Sequence, residues 1–146
     1  MESQSFIITE ESQLESWCLR LLPYLEDYRI VALTGQMGAG KTTLVRALGR
    51  HLGFSEEAGS PTFSLVNEYH CQSNPWHIRI VYHMDLYRLK GPEEALDIGV
   101  REYLDSGEIC LVEWPDRIAS LLSRERHMTV HIEVLDNLQR TITLTF

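Results

Sequence analysis

The sequence predicts an α/β fold in which a central mixed β-sheet is flanked by helices. Strand and helix patterns alternate near the N-terminus, and the segment EICLVEW is an apolar run typical of strands that helices cover on both faces. Two runs of alternating apolar and polar residues close the chain. With 146 residues we expect one domain, 1–146, that buries about two thirds of its unfolded surface.

The first elements are a short strand and a helix. The strand is predicted at Ser5 to Ile8, and Thr9 is placed to cap the helix that follows. Pro23 is expected to end or bend this helix. Its apolar stripe consists of Leu14, Trp17, Cys18, Leu21, Leu22 and Leu25.

Beyond residue 54 the chain is predicted to form a hairpin, a helix, a strand, a second helix and a second hairpin. The strands Ser64 to His70 and Ile78 to Met84 flank an Asn-Pro turn. A helix is predicted over PEEALDIGVREYL, and Pro115 suits the first turn of the helix DRIASLLS. The runs MTVHIEVL and RTITLTF form the closing hairpin.

A glycine-rich segment, TGQMGAGKTT, lies between a predicted strand at Arg29 to Leu33 and a helical pattern that runs from Lys41 to near Gly53. This context is the one in which Gly-x-x-x-x-Gly-Lys-Thr indicates a phosphate-binding loop. Glycines let the backbone N–H groups approach an anion, and the helix adds its positive dipole end. Lys41 would contact the β and γ phosphates, and the Thr42 hydroxyl would hold Mg²⁺. The predicted nucleotide-binding residues here are Gly35, Gln36, Met37, Gly38, Ala39, Gly40, Lys41, Thr42 and Thr43.

Hydrolysis of a bound nucleotide needs an acidic group near the metal, and ICLVE ends in one. Glu113 is predicted at the C-terminal edge of a buried strand, where ligands of open α/β sheets bind. It would hold Mg²⁺ through water or orient the attacking water, the alternative being an exposed acid at a strand end. Trp114 beside it is a candidate for packing against the nucleotide or for the core.

Two further polar segments are candidates for catalytic or switch roles. Ser60 and Thr62 lie on the loop SEEAGSPTF, where nucleotide hydrolases place segments that respond to the γ-phosphate, although Ser-Pro-Thr is also an ordinary turn. In HMDLYRL, strand alternation predicts that His83, Asp85 and Tyr87 share one side. Asp85 is a candidate for orienting water, assisting the metal or contacting the nucleotide, or for structural hydrogen bonds.

The composition of the chain limits which kinds of binding partner and which cellular compartment we expect. The net charge of −8 argues against broad contact with nucleic-acid backbones, so any RNA partner is expected to be reached through another protein. The N-terminus lacks a targeting pattern and no stretch has the length of a membrane span, so we expect a cytoplasmic protein. The three cysteines are expected to be buried thiols in a reducing compartment.

Taken together, GQMGAGKTT, SPTFSLVNEY, YHMDLYRL and CLVEWPDR resemble, in order and spacing, the TsaE (YjeE) family of small bacterial ATPases. That resemblance implies a single-domain P-loop NTPase fold that binds ATP with Mg²⁺ and hydrolyses it slowly alone. It also implies a role in the threonylcarbamoyladenosine modification of tRNA next to the anticodon, with TsaB and TsaD as partner proteins. Thr9 and Arg140 fall near positions where the family contacts the nucleotide, although DNLQ before Arg140 departs from the expected Gly-Arg.

Three other function classes remain open from the sequence. A P-loop GTPase-like switch is disfavoured because the chain contains no Asn-Lys-x-Asp stretch for guanine. A small kinase would need an arginine-bearing lid, for which the segment after Arg117 is too short. A non-catalytic module whose nucleotide site only switches shape is the third alternative.

Overall fold

A computed structural model describes residues 3–36, 38–58, 65–136 and 139–146. Its strands are β1 Ser3–Ile8, β2 Ile30–Gly35, β3 Val66–His70, β4 Ile80–Asp85, β5 Ile109–Glu113, β6 His127–Val134 and β7 Arg140–Thr145. Its α-helices are α1 Glu11–Leu21, α2 Lys41–Leu52, α3 Pro92–Asp97, α4 Val100–Leu104 and α5 Ala119–Leu122. Two 3₁₀ segments, Leu22–Glu26 and Pro115–Ile118, extend α1 and precede α5.

The described strands form one mixed sheet with the order β1-β7-β6-β2-β5-β4-β3. β2 lies at its centre and pairs in parallel with β5 and β6, and β5 pairs in parallel with β4. The outer pairs β3–β4, β6–β7 and β7–β1 are antiparallel. Both predicted hairpins and the mixed character of the sheet are therefore confirmed.

The sheet is buried on both faces by two hydrophobic clusters. Val31 and Leu33 of β2 and Leu111 of β5 pack with α1 and α2 on one face. Ile30 and Val112, one residue out of phase, pack with α3, α4 and α5 on the other face. Because side chains alternate along a strand, this is the arrangement that the continuous apolar run of β5 predicted.

Three local predictions were wrong. Glu10, not Thr9, is the N-cap of α1: the Gln13 side chain accepts hydrogen bonds from the backbone N–H groups of Thr9 and Glu10, and Glu10 forms a reciprocal capping box with it. The helix predicted over 92–104 is divided, because Gly99 takes a left-handed φ of 85° between α3 and α4. The extended segment at 83–87 ends early, since the Asp85 carboxylate accepts a hydrogen bond from the Tyr87 N–H and turns the chain.

The predicted burial of the cysteine thiols is confirmed for Cys18 and Cys110, where burial raises the pKa to about 12. Cys71 is only partly buried, and burial raises its pKa to about 11. No helix within the described ranges combines the length and the apolar character needed to cross a membrane.

Candidate nucleotide-binding site

The glycine-rich loop joins the C-terminal end of β2 to the N-terminus of α2. Gly38 and Gly40 take positive φ angles of 81° and 119°, which L side chains rarely adopt. The helix starts from Gly40 as its N-cap, with no side-chain hydrogen bond to the cap and no acidic residue in the first turn. The positive end of the dipole of this twelve-residue helix is therefore not neutralised by an acidic side chain of the first turn.

Lys41 is folded back against the start of its own loop. Its side chain is 10% exposed, and Nζ donates a hydrogen bond to the Gly35 carbonyl oxygen at 3.0 Å. Nζ also lies 3.7 Å from Oε1 of Glu113 and 5.5 Å from the centre of the Trp114 ring. The loop lysine and the acid at the end of β5 are thus brought together by the parallel pairing of β2 with β5.

Glu113 is a buried carboxylate with a buried histidine beside it. Oε2 lies 2.6 Å from Nε2 of His83, whose side chain is fully buried. Burial by itself raises the pKa of the Glu113 carboxyl, but the hydrogen bond and attraction from His83, together with the Lys41 ammonium, lower it below its ordinary value. Glu113 is therefore ionised at neutral pH.

Asp85 and Trp114 flank the same carboxylate. The β4–β5 register places Asp85 directly opposite Glu113, and Asp85 is partly buried. Trp114 adopts a left-handed φ of 57°, which is uncommon for a bulky residue. Its ring contacts Tyr87, at 4.9 Å between ring centres, and the Arg117 guanidinium lies 5.7 Å from its centre.

Arg140 closes the other side of the loop. It begins β7, and its Nε donates a hydrogen bond to the Ala39 carbonyl oxygen at 2.7 Å. A cleft of about 360 Å³ lies between these groups. It is lined by Gly38, Gly40, Lys41, Thr42, Thr43, Asp85, Glu113, Trp114 and Arg140.

A second, smaller pocket of about 120 Å³ adjoins the cleft and shares Gly40, Thr43 and Arg140 with it. Its remaining walls are mostly apolar: Ile8, Leu14, Ala39, Ile132 and Ile142. The two cavities together offer a polar, charged compartment beside an apolar one.

Most of the residues predicted from sequence line this cleft, with some exceptions. Gly35 and Gln36 lie at the base of the loop rather than among the lining residues. Thr9 is exposed and follows Ile8 of the apolar pocket. Met37, Ser60 and Thr62 lie outside the described residues.

His83 contacts Glu113 and the Arg117 guanidinium lies over the Trp114 ring, although no role was predicted from sequence for either residue. Strand alternation put His83 on the same side as Asp85, and this was the signal that could have identified it. Arg117 has a buried Nε without a hydrogen-bond partner in the described part of the chain, and the signal that could have identified it was its place at the end of the motif CLVEWPDR.

A strand, a glycine-rich loop ending in a lysine, and a helix, set in a mixed sheet, define an α/β protein of the P-loop NTPase fold class. Among solved structures, the crystal structure of Bacillus subtilis YdiB matches with a TM-score of 0.64 at 22% identity, over 98% of this chain and 84% of that one. A likeness at this identity shows the fold alone.

Sequence comparison identifies the family to which the chain belongs. A family model described as threonylcarbamoyl adenosine biosynthesis protein TsaE matches residues 8–142. Two similar proteins carry the name tRNA threonylcarbamoyladenosine biosynthesis protein TsaE. That of Treponema pallidum is 40% identical over 82% of this chain and 84% of its own length. That of Haemophilus influenzae is 39% identical over 78% of this chain and 68% of its own length. The chain belongs to the TsaE family.

Proposed function

We propose that this protein binds ATP with Mg²⁺ and hydrolyses it slowly, as a step in the threonylcarbamoyladenosine modification of tRNA next to the anticodon. The observation that carries the proposal is the convergence, in one cleft, of the uncapped start of α2, the Lys41 ammonium and the Glu113 carboxylate. The first two attract anions, and the third attracts a cation.

The phosphates would be held by the loop and by Lys41. Backbone N–H groups around Gly38 and Gly40 and the helix dipole favour negative charge. The Lys41 ammonium has a carbonyl and a carboxylate as partners, and a phosphate group would compete for it with more charge than either.

The residues present also fit Mg²⁺ carried by a nucleotide. Mg²⁺ usually takes one or two carboxylates together with phosphate oxygens and water, and the Thr42 hydroxyl and Glu113 carboxylate line the same cleft. Bound there, the metal would neutralise charge on the phosphates. Asp85, in register with Glu113, would orient the attacking water or assist the metal. Ser60 and Thr62 would be part of the loop that responds to the γ-phosphate.

We assign the base end of the nucleotide to the apolar pocket. Ile8, Leu14 and Ile142 offer a surface for a planar ring, and Arg140 lies between this pocket and the phosphate side. Thr9 and Arg140 would contact the nucleotide there, while Trp114 would pack against the nucleotide at the opposite end of the cleft.

The pathway and partners are proposed from family membership. The TsaE relatives are named for threonylcarbamoyladenosine biosynthesis in tRNA. We propose that the chain acts on a TsaB–TsaD complex and meets tRNA only through it. The net charge of −8 accords with a protein partner rather than a direct nucleic-acid surface.

The test is release of phosphate from ATP and GTP with Mg²⁺, by the protein alone and with TsaB and TsaD. The chain offers a matched pair of variants, since Lys41 and Lys90 are its only two lysines and Lys90 is exposed outside the cleft. Lys41→Ala should weaken ATP binding by roughly 10- to 100-fold, from the loss of about 1.5 to 3 kcal/mol of charge-assisted contact. Lys90→Ala should bind ATP as the wild type does.

Release that is selective for ATP and rises with the partners would support both parts of the proposal. Unchanged ATP affinity in Lys41→Ala would contradict the assignment of the loop. A preference for GTP would contradict the assignment of ATP as the nucleotide, and release indifferent to the partners would contradict the proposed action on a TsaB–TsaD complex.

A further inference from the structure

His83 is a buried polar side chain in contact with the acid of the site. Its side chain is fully buried on β4, and Nε2 lies 2.6 Å from Oε2 of Glu113. Its other ring nitrogen, Nδ1, is buried without a hydrogen-bond partner among the residues that the structure describes. An apolar residue would fill this space without burying an unpaired nitrogen, so the polar benefit of the imidazole lies in its contact with Glu113.

The chemistry of the pair determines which atom carries the hydrogen. An ionised carboxylate only accepts hydrogen bonds, so Nε2–H of His83 donates and Oε2 of Glu113 accepts. Oε1, the other carboxylate oxygen, lies 3.7 Å from Lys41 Nζ. The two carboxylate oxygens of Glu113 therefore have different partners: Oε2 is bound by His83, and Oε1 is directed toward Lys41.

We propose that His83 is a positioning residue, which holds the Glu113 carboxylate in one orientation so that Oε1 is presented to the nucleotide-binding cleft. The inference rests on the proposed function, because a cation carried by the nucleotide is what this oxygen would take. Loss of a hydrogen bond that orients a metal-binding carboxylate typically weakens metal affinity by about 10- to 100-fold.

The experiment measures ADP affinity by calorimetry with Mg²⁺ and with EDTA for the wild type, His83→Leu, His83→Gln and Val81→Ala. Val81 is the matched control, since it is buried on the same strand and the same face but is paired with Ile109, four residues before Glu113 on β5. His83→Leu should bind ADP normally in EDTA and lose about tenfold or more of the Mg²⁺-dependent enhancement. His83→Gln should restore most of it, because a glutamine amide can donate from about the position of Nε2.

Circular dichroism and urea denaturation establish that each variant is folded, and His83→Asn replaces His83→Leu if the latter is not. The asparagine amide is too short to reach Glu113, so it should behave as the leucine does. Full Mg²⁺ enhancement in a folded His83→Leu or His83→Asn would overturn the proposal, as would equal losses in the glutamine variant. Absence of Mg²⁺-dependent ADP binding in the wild type itself would overturn the proposed function, and this inference with it.

Discussion

Replacing Gly35 by alanine tests whether the start of the glycine-rich loop packs against β6 as the structure shows. Gly35 is the last residue of β2, with a φ of 138°, and is paired with Ile132 of β6. A Cβ at this position would meet the Ile132 carbonyl oxygen well inside van der Waals contact. Because the obstacle is backbone in a paired strand, it has little freedom to move aside.

The loss of folding stability expected in Gly35→Ala has two parts, and the same substitution at a second glycine separates them. Gly107 also has a positive φ, 79°, but a Cβ there would meet nothing within 4 Å. Alanine at Gly107 carries the strain of a left-handed φ, about 1 to 2 kcal/mol, and alanine at Gly35 carries at least as much, because a φ of 138° lies outside the left-handed helical region. Only Gly35→Ala adds the clash, about 1 to 3 kcal/mol. Gly35→Ala should therefore be less stable than Gly107→Ala by about 2 kcal/mol.

Urea denaturation followed by circular dichroism measures the difference. With a slope of about 2 kcal/mol per molar urea, the midpoint of Gly35→Ala should fall about 1 M below that of Gly107→Ala. Because the Gly35 carbonyl accepts the Lys41 hydrogen bond, the folded fraction of Gly35→Ala should also bind nucleotide more weakly. Equal midpoints for the two variants would refute the close approach of β6 to the loop.

Three further outcomes are expected. Glu113→Gln should leave ADP binding measured in EDTA near the wild-type value, weaken its enhancement by Mg²⁺ and abolish phosphate release, since it keeps the shape and removes the charge; full activity would move that role to another acid. Asn74→Ala should lower the free energy of unfolding by about 2 kcal/mol in urea denaturation, because the Asn74 side chain makes four hydrogen bonds within the β3–β4 loop. Hydrogen bonding to Glu56 holds the pKa of His70 above its ordinary value of 6.5, so the stabilisation from this group is complete below pH 6.5 and is lost as the pH rises through the raised value. An NMR titration should find a lower His70 pKa in Glu56→Gln, and an unchanged pKa would contradict the pairing.

Local sequence pattern determined the elements and the loop. The alternation of β2, the three glycines before Lys41 and the stripe of α2 are properties of neighbouring residues, and the structure places that strand, loop and helix where the pattern predicts them. Where prediction failed, side chains competed with the backbone. At the start of α1 the Gln13 side chain accepts hydrogen bonds from the N–H groups of Thr9 and Glu10, so the capping position is Glu10 rather than Thr9. At Asp85 the carboxylate accepts a hydrogen bond from the Tyr87 N–H and turns the chain.

Tertiary structure decided which of these elements meet. His83 and Glu113 are 30 positions apart, and Arg140 lies 101 positions from the Ala39 carbonyl that it binds. Such contacts depend on strand order and register, and a shift of one residue in either strand would turn its side chains to the opposite face. A pattern read along one strand reports which side chains share a face but contains no information about the neighbouring strand. The sequence alone therefore determined the fold class and the glycine-rich loop between β2 and α2, whereas the contact of His83 with Glu113 and that of Arg140 with the loop were decided by the pairing of distant strands.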